Sequence, residues 1–519
     1  MSGTDETRTV KKPQMMERLS EFDGAGVMGV RRKSKPADEQ VNSELAQFGS
    51  FADLAADSAA DSAADLAAAA GAAQTGAFAA EGREDSSGND HRMRSLDVSI
   101  EMDGRHREVG TITGDSGFNA VFRYSDDYLN SPSARPISIS LPLTDEPYGP
   151  EATRNFFEGL LPEGFLRRTV AKNNRVDADD YLSLLEMLGA ECLGAISIKG
   201  RDYRWSEPYY KELTTDRMYD LAAEGATRSA DLVVEAHMSL TGASGKVGVY
   251  RSREGKWYLP VGSAPSTHIL KQSHIRYEHI VQNEALALRT AQAMGITIPE
   301  STIIETERAE QENEVLFATV RYDRTLEGSM FDISGMPSPL RLHQEDFAQA
   351  MGISAANKNE RPGYHHKAGI YDVLRKHSAA PIQDQMKLWD MIVFHYLVGN
   401  TDGHIKNFSV LYDSRLRAVR LTPAYDIVST IVYDTHSTQM AFSIGGETEW
   451  SRLGRACFER AADEIGLNRQ IFMRRFDDME SRFEQALTET AAKMTAEGHT
   501  EVRGIAETIL RKRGDARKE

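Results

Sequence analysis

Apolar and polar residues alternate along 96–102, 118–124 and 137–143, the two-residue period of strands with one buried face. The spacing lengthens to that of helices at 153–172 and 179–188, then returns to a strand at 194–199. Residues 200–235 read as a connector followed by a helix. A run of small residues leads into a strand at 247–250, with a hairpin at Glu254-Gly255 and a return strand through Trp257. A short strand at 267–271 ends in a lysine. After it comes a helix with Glu284 near its start and Ala285, Leu286, Leu288, Ala291 and Met294 on its apolar face, stopping at Gly295. Another strand runs through 315–324. Residues 341–352 suit a helix with acidic residues in its first turn. Leu388, Met391, Ile392, Phe394, Leu397 and Val398 mark a buried helix that stops at Gly399-Asn400. Two strands follow, 408–412 and 418–421, joined by Asp413-Ser414. A strand and turn at 440–446 precede helices spanning 452–510 and a basic, solvated tail at 511–518.

The first 93 residues show no such order. Residues 55–70 repeat alanine and aspartate in fours, stacking Asp53, Asp57, Asp61 and Asp65 at i,i+4, where like charges oppose a helix. Too few large apolar residues are present to offset chain entropy, so an acidic, alanine-rich disordered tail is expected at 1–93.

The chain has 519 residues, 40% hydrophobic and 27% charged, which suits a soluble protein of two or three domains. Its net charge of -17 argues against gripping nucleic acid through bulk electrostatics. Two cysteines, Cys192 and Cys457, offer neither a disulfide framework nor a zinc site, and His365-His366 stands far from other ligand types. Met1 to Lys12 lacks an apolar signal core, and no run approaches membrane-spanning length, so a cytoplasmic protein is expected.

The chemistry gathers after the helix ending at Val398. Asp402 follows at once, Asn407 comes five positions later, and Asp426 stands just past the strand pair. Each alone suits a turn. Together they have the order that phosphoryl transfer from ATP requires: one carboxylate for the acceptor hydroxyl, an amide and a second carboxylate for magnesium. Lys271 at a strand end and Glu284 on the next helix match the ion pair that orients nucleotide phosphates. Gly245-Lys246 is not a P-loop, because that motif's first glycine would fall on Leu240 and its Ser/Thr on Val247. As a small-residue loop, Thr241, Gly242, Ala243, Ser244, Gly245 and Lys246 suit backbone contact with phosphates, and equally suit an ordinary approach to a hairpin.

At 401–409 (TDGHIKNFS) and 421–427 (LTPAYDI) the chain resembles the HipA family, kinase toxins of bacterial toxin–antitoxin pairs. Leu141-Pro-Leu, Leu160-Leu-Pro-Glu163 and Leu193-Gly-Ala-Ile196 resemble that family's amino-terminal subdomain, and the likeness spans roughly 95 to 480. It implies an α+β, protein-kinase-like two-lobed fold: an α/β subdomain at 94–235, then a kinase domain at 236–519 divided into a small mixed lobe (236–324) and a helical lobe (325–519). By resemblance, Val320, Arg321 and Tyr322 form the hinge where backbone meets adenine. His404 and Tyr425 contact the nucleotide, and Ser239 is a serine the kinase phosphorylates on itself. ATP and Mg2+ are the implied cofactors. The implied partners are a protein substrate such as an aminoacyl-tRNA synthetase, and a HipB-like helix-turn-helix antitoxin, with DNA reached only through that antitoxin. Two features depart from the family pattern: the amino-terminal extension, and Ser244-Gly245 where its best-known loop has Gln-Glu. A catalytically silent co-repressor scaffold and a small-molecule kinase stay open as other readings.

Overall fold

The computed structural model describes residues 93–201, 207–240, 245–273, 277–329 and 331–518. The expected tail therefore lies outside the described residues, apart from Met93, and so do Thr241, Gly242, Ala243 and Ser244.

The first sheet is antiparallel, in the order β3-β2-β1-β4, built from β1 (Arg94–Met102), β2 (Arg105–Gly114), β3 (Val121–Tyr124) and β4 (Ile196–Gly200). Leu96, Val98, Ile100 and Met102 fill its inner face, as the two-residue period dictates. The second sheet has six strands in the order β5-β7-β6-β8-β10-β9. These are β5 (Tyr209–Glu212), β6 (Lys246–Arg251), β7 (Trp257–Val261), β8 (His268–Gln272), β9 (Ser301–Thr306) and β10 (Glu314–Val320). Helices Thr215–Glu224, Ala226–Ala236 and Ile280–Ala293 pack against it. The remainder is mainly helical around Pro381–Val398, which begins with proline in its first turn and is buried along most of its length. No helix among the described residues is long and apolar enough to cross a membrane.

Gly399 ends that central helix at φ +70°, where L side chains are strained, and a Cβ there would lie 2.2 Å from Ile431 Cδ1. The stop therefore falls where the pattern places it and throws the chain into the Asp402 loop. A three-stranded sheet (Gln344–Asp346, Ser409–Tyr412, Val419–Leu421) holds the far side of the loop.

Four expectations fail for local reasons. The helix at 153–172 divides into Pro150–Phe157, a 3-10 turn at Glu158–Leu160, and Gly164–Asn174. Pro162 disfavours helical geometry at Leu161 and breaks the run. Residues 137–143 form only a single bridge, Ser138 to Leu141. The expected helix at 341–352 begins at Phe347, because Asp346 caps it reciprocally with Gln349 and the residues before it join a sheet. The basic tail is not a solvated coil: helix Val502–Ala516 contains most of it. Arg513 is buried there, donating to the Leu397 carbonyl at 2.9 Å with its guanidinium 4.8 Å from the Phe483 ring centre.

Between the two large sheets lies a wholly buried ionic cluster. Arg321 pairs with Asp323 (2.7 Å) and Glu191 (3.2 Å); Arg324 also meets Glu191 (3.0 Å). Arg341 meets Glu191 (2.9 Å) and Glu101 (3.4 Å), so strand β1 and the end of β10 are tied through shared charges. Burial favours the neutral acid at Glu191, yet the three arginines hold it ionised, at about 2. Glu191→Ala would leave three buried guanidinium groups to share Asp323 and Glu101, and a loss of roughly 3–5 kcal/mol is expected. Urea unfolding of wild type and variant measures it.

Candidate active site

The two halves of the site face a cleft lined by Lys246, Lys271, Glu284, Tyr322, His404, Asn407, Tyr425 and Asp426, among others. Strand β8 presents Lys271, whose ammonium donates to Glu284 and to Asp426, each at 2.6 Å. Burial alone would lower the ammonium's pKa, but the two carboxylates outweigh it and the value rises. Asp426 shows the reverse balance: burial favours its neutral form, and Lys271 with Lys246 holds it well below the usual carboxylate range. Its backbone lies at φ 56°, the left-handed region few side chains adopt. Functional segments are where such strain collects.

Lys246 and Lys271 stand directly opposite each other across β6 and β8. Burial lowers the Lys246 pKa, and repulsion from Lys271 adds to that fall against the opposing pull of Asp426. Two facing lysines on a cleft wall suit a polyanion. This places Lys246 in the site through its side chain, whereas the sequence reading relied on backbone contacts.

The loop after Gly399 is stiffened by its own hydrogen bonds. Asn400 accepts from the Asp402 N–H (3.0 Å), and the Asn407 side-chain amide donates to the Asp402 carbonyl (2.9 Å). The Asn407 oxygen is therefore the end of the amide left for a cation. Asp402 is exposed and does not itself line the cleft, though its charge acts on His404, which does, and on Lys358. His404 is buried and lowered to about 4 by burial first and Lys358 second, so its ring is neutral near pH 7. Its Nδ1 is buried without a hydrogen-bond partner among the described residues, an unmet polar atom that fits an incoming polar ligand.

Other expected site residues divide. Tyr425 lies on the wall, sharing a hydrogen bond with Ser409 (2.6 Å) and donating to the Lys406 carbonyl (3.0 Å). The Tyr322 ring stands 5.8 Å from it, and its hydroxyl bonds Gln344. Val320, Arg321 and Tyr322, the expected hinge, all line the cleft. The Val320 and Arg321 N–H groups donate to Glu300 (2.8 Å) and Thr267 (2.9 Å), and the Arg321 side chain is committed to the ionic cluster. Both N–H groups are thus engaged within the fold. Ser239 is fully buried, its hydroxyl donating to the Leu160 carbonyl at 2.7 Å, so it is not an acceptor in this conformation.

The sequence reading assigned no role to several residues in the cleft. Glu163, from the Leu-Leu-Pro-Glu segment, enters it and pairs with Lys358 (2.7 Å). Lys406 pairs with Asp346 (2.7 Å) and lies 3.5 Å from Glu163. Gln344 and Glu345, read as parts of a structural helix, also reach the lining. Lys406 stood inside the quoted catalytic loop, and that was the available signal. Nothing in the local pattern around Glu163 points to a partner 195 residues onward.

A cleft between a sheet bearing a lysine–glutamate pair and a helical region bearing an aspartate–asparagine loop defines a kinase-like protein. The comparisons agree. Residues 238–487 match the HipA-like C-terminal domain and residues 100–199 the HipA N-terminal domain. The kinase-designated protein Y4mE of Sinorhizobium fredii is 31% identical over 392 residues, covering 74% of this chain and 89% of that protein. The serine/threonine-protein kinase toxin HipA of Shewanella oneidensis is 22% identical over 405 residues, covering 76% and 89%. A solved Shewanella oneidensis complex of HipA, HipB and operator DNA gives a TM-score of 0.65 at 21% identity, over 80% of this chain and 96% of that one. The chain belongs to the HipA family, and its fold is the kinase-like fold of that toxin.

Glu345 yields a pH prediction. It accepts from Ser138 (2.5 Å), the Ile139 N–H (3.0 Å) and Tyr412, yet burial prevails and pushes its carboxyl from 4.5 up to about 7. The folded state then holds a proton that the unfolded chain has lost, so stability falls as pH rises between those values, by about 3 kcal/mol. Urea titrations across that window should show this slope in wild type and its absence in Glu345→Gln.

Proposed function

We propose that this protein is an ATP-dependent protein serine/threonine kinase of the HipA type. The observation that carries the reading is the Lys271 ammonium held between Glu284 and Asp426 in a cleft that also presents Asn407. Lys271 and Lys246 receive the phosphates, and the aromatic rings of Tyr322 and Tyr425 wall the cleft beside them. Asn407 and Asp426 supply hard oxygen ligands, a set that suits magnesium, which binds through one or two protein groups plus phosphate oxygens. When bound, that ion would neutralise charge on the phosphates.

Asp402 accepts or aligns the proton of the acceptor hydroxyl. The hydroxyl oxygen forms its bond to the γ-phosphorus as the bond to the β,γ-bridging oxygen breaks, and ADP leaves with that electron pair. The buried Ser239 hydroxyl supports an acceptor on a separate protein, such as an aminoacyl-tRNA synthetase, for the conformation described. Self-phosphorylation of Ser239 would need that segment to leave its pocket.

A small helix-turn-helix antitoxin is the proposed partner, supported by the likeness to a HipA captured with HipB on DNA. With a net charge of -17, DNA contact would come through that partner. Two buried, unpaired cysteines suit a reducing cytoplasm.

Labelled-phosphate transfer from ATP tests the assignment. Asp402→Asn should lower the rate by about 10²–10⁴-fold, and Asp426→Asn should do comparable harm. Equal incorporation by wild type and both variants would refute it.

A further inference from the structure

Lys358 follows the 3-10 turn Ala355–Asn357, and its carbonyl accepts from the Ile405 N–H of the catalytic loop at 3.4 Å. Its side chain is 24% exposed, against 12% for Lys271 and 3% for Lys406, so it is the freest of these three ammonium groups to move. Its ammonium donates to Glu163 at 2.7 Å. The charges of Asp402 and Asp426 both act on it, and its counter-ion Glu163 lines the cleft together with Asn407 and Asp426.

In-line transfer puts the moving phosphoryl group between the oxygen ligands Asn407 and Asp426 and the acceptor at Asp402. A cation paired with a carboxylate of the cleft wall, on a residue bonded to the loop itself, is placed to meet that group. Glu163 can release Lys358 without being stranded, because Lys406 lies 3.5 Å from its other oxygen. Lys406 cannot exchange as easily: it is buried, held by Asp346 at 2.7 Å, and donates to the Gly159 carbonyl at 3.2 Å.

We infer that Lys358 is a catalytic residue that binds the transferring γ-phosphoryl group, with Glu163 as its resident counter-ion. The inference rests on the kinase reading and extends it to a side chain outside the loop 401–409. It also makes a carboxylate from the amino-terminal half part of the phosphate site, as the partner against which the phosphate competes.

Calorimetric titration of the full chain with Mg-ADP and with the magnesium complex of the β,γ-imido analogue of ATP separates the possibilities. Lys358→Met should weaken the triphosphate analogue by about tenfold, the scale of one charge-assisted contact, and leave ADP within about twofold. Lys358→Arg should recover most of the loss. Lys358→Gln repeats the comparison if the methionine variant does not fold. Wild-type binding of both nucleotides with no selective loss in the variants overturns the role of Lys358 alone. A wild type that binds neither nucleotide overturns the kinase reading and this role together.

Discussion

An ammonium group buried between two carboxylates is the constraint around which this cleft is arranged. Lys271 on β8 draws in Glu284 from helix Ile280–Ala293 and Asp426 from the segment after Val419–Leu421. Taking such ions out of water costs several kcal/mol each, and their attraction repays it only when the geometry is good. The pairing is therefore a poor source of stability and a good source of position. It ties strand β8 and the helix that follows it to a segment 155 residues further along the chain. Lys246, facing Lys271 across the strands, adds a second amine to the same wall, which suits an anion.

The same use of buried charge recurs outside the cleft. Glu191 joins Arg321, Arg324 and Arg341 where the two sheets meet. Glu163 carries the amino-terminal half into the cleft. Asp323 touches both systems, since it pairs with Arg321 and accepts from Gln344, which lines the cleft and bonds Tyr322. Apolar packing fills each layer, while these ionic contacts set how the layers register against one another.

Local chemistry made much of this legible beforehand. Gly399 after an apolar helix, Asp402 with Asn407 at +5, and the strands leading to Asp426 are short-range patterns with few alternatives. The Lys271–Glu284 pairing was readable because thirteen residues separate a strand end from a helix face. What escaped was long-range or reciprocal. Asp346 looked like a first-turn residue and is the cap itself, which converts the preceding residues into strand. Arg321 sat in a plausible hinge, yet its side chain answers to Glu191, 130 residues earlier. Arg513 read as a solvated charge, because the aromatic rings that cover it come from other helices.

A crystal structure of the chain with magnesium and a non-hydrolysable ATP analogue tests the central claim most directly. The account predicts one cation bound by Asn407 and Asp426 on the phosphates, with Lys271 still on Glu284 and the terminal phosphate facing Asp402. A nucleotide seated elsewhere, or a cation that touches neither residue, would contradict it.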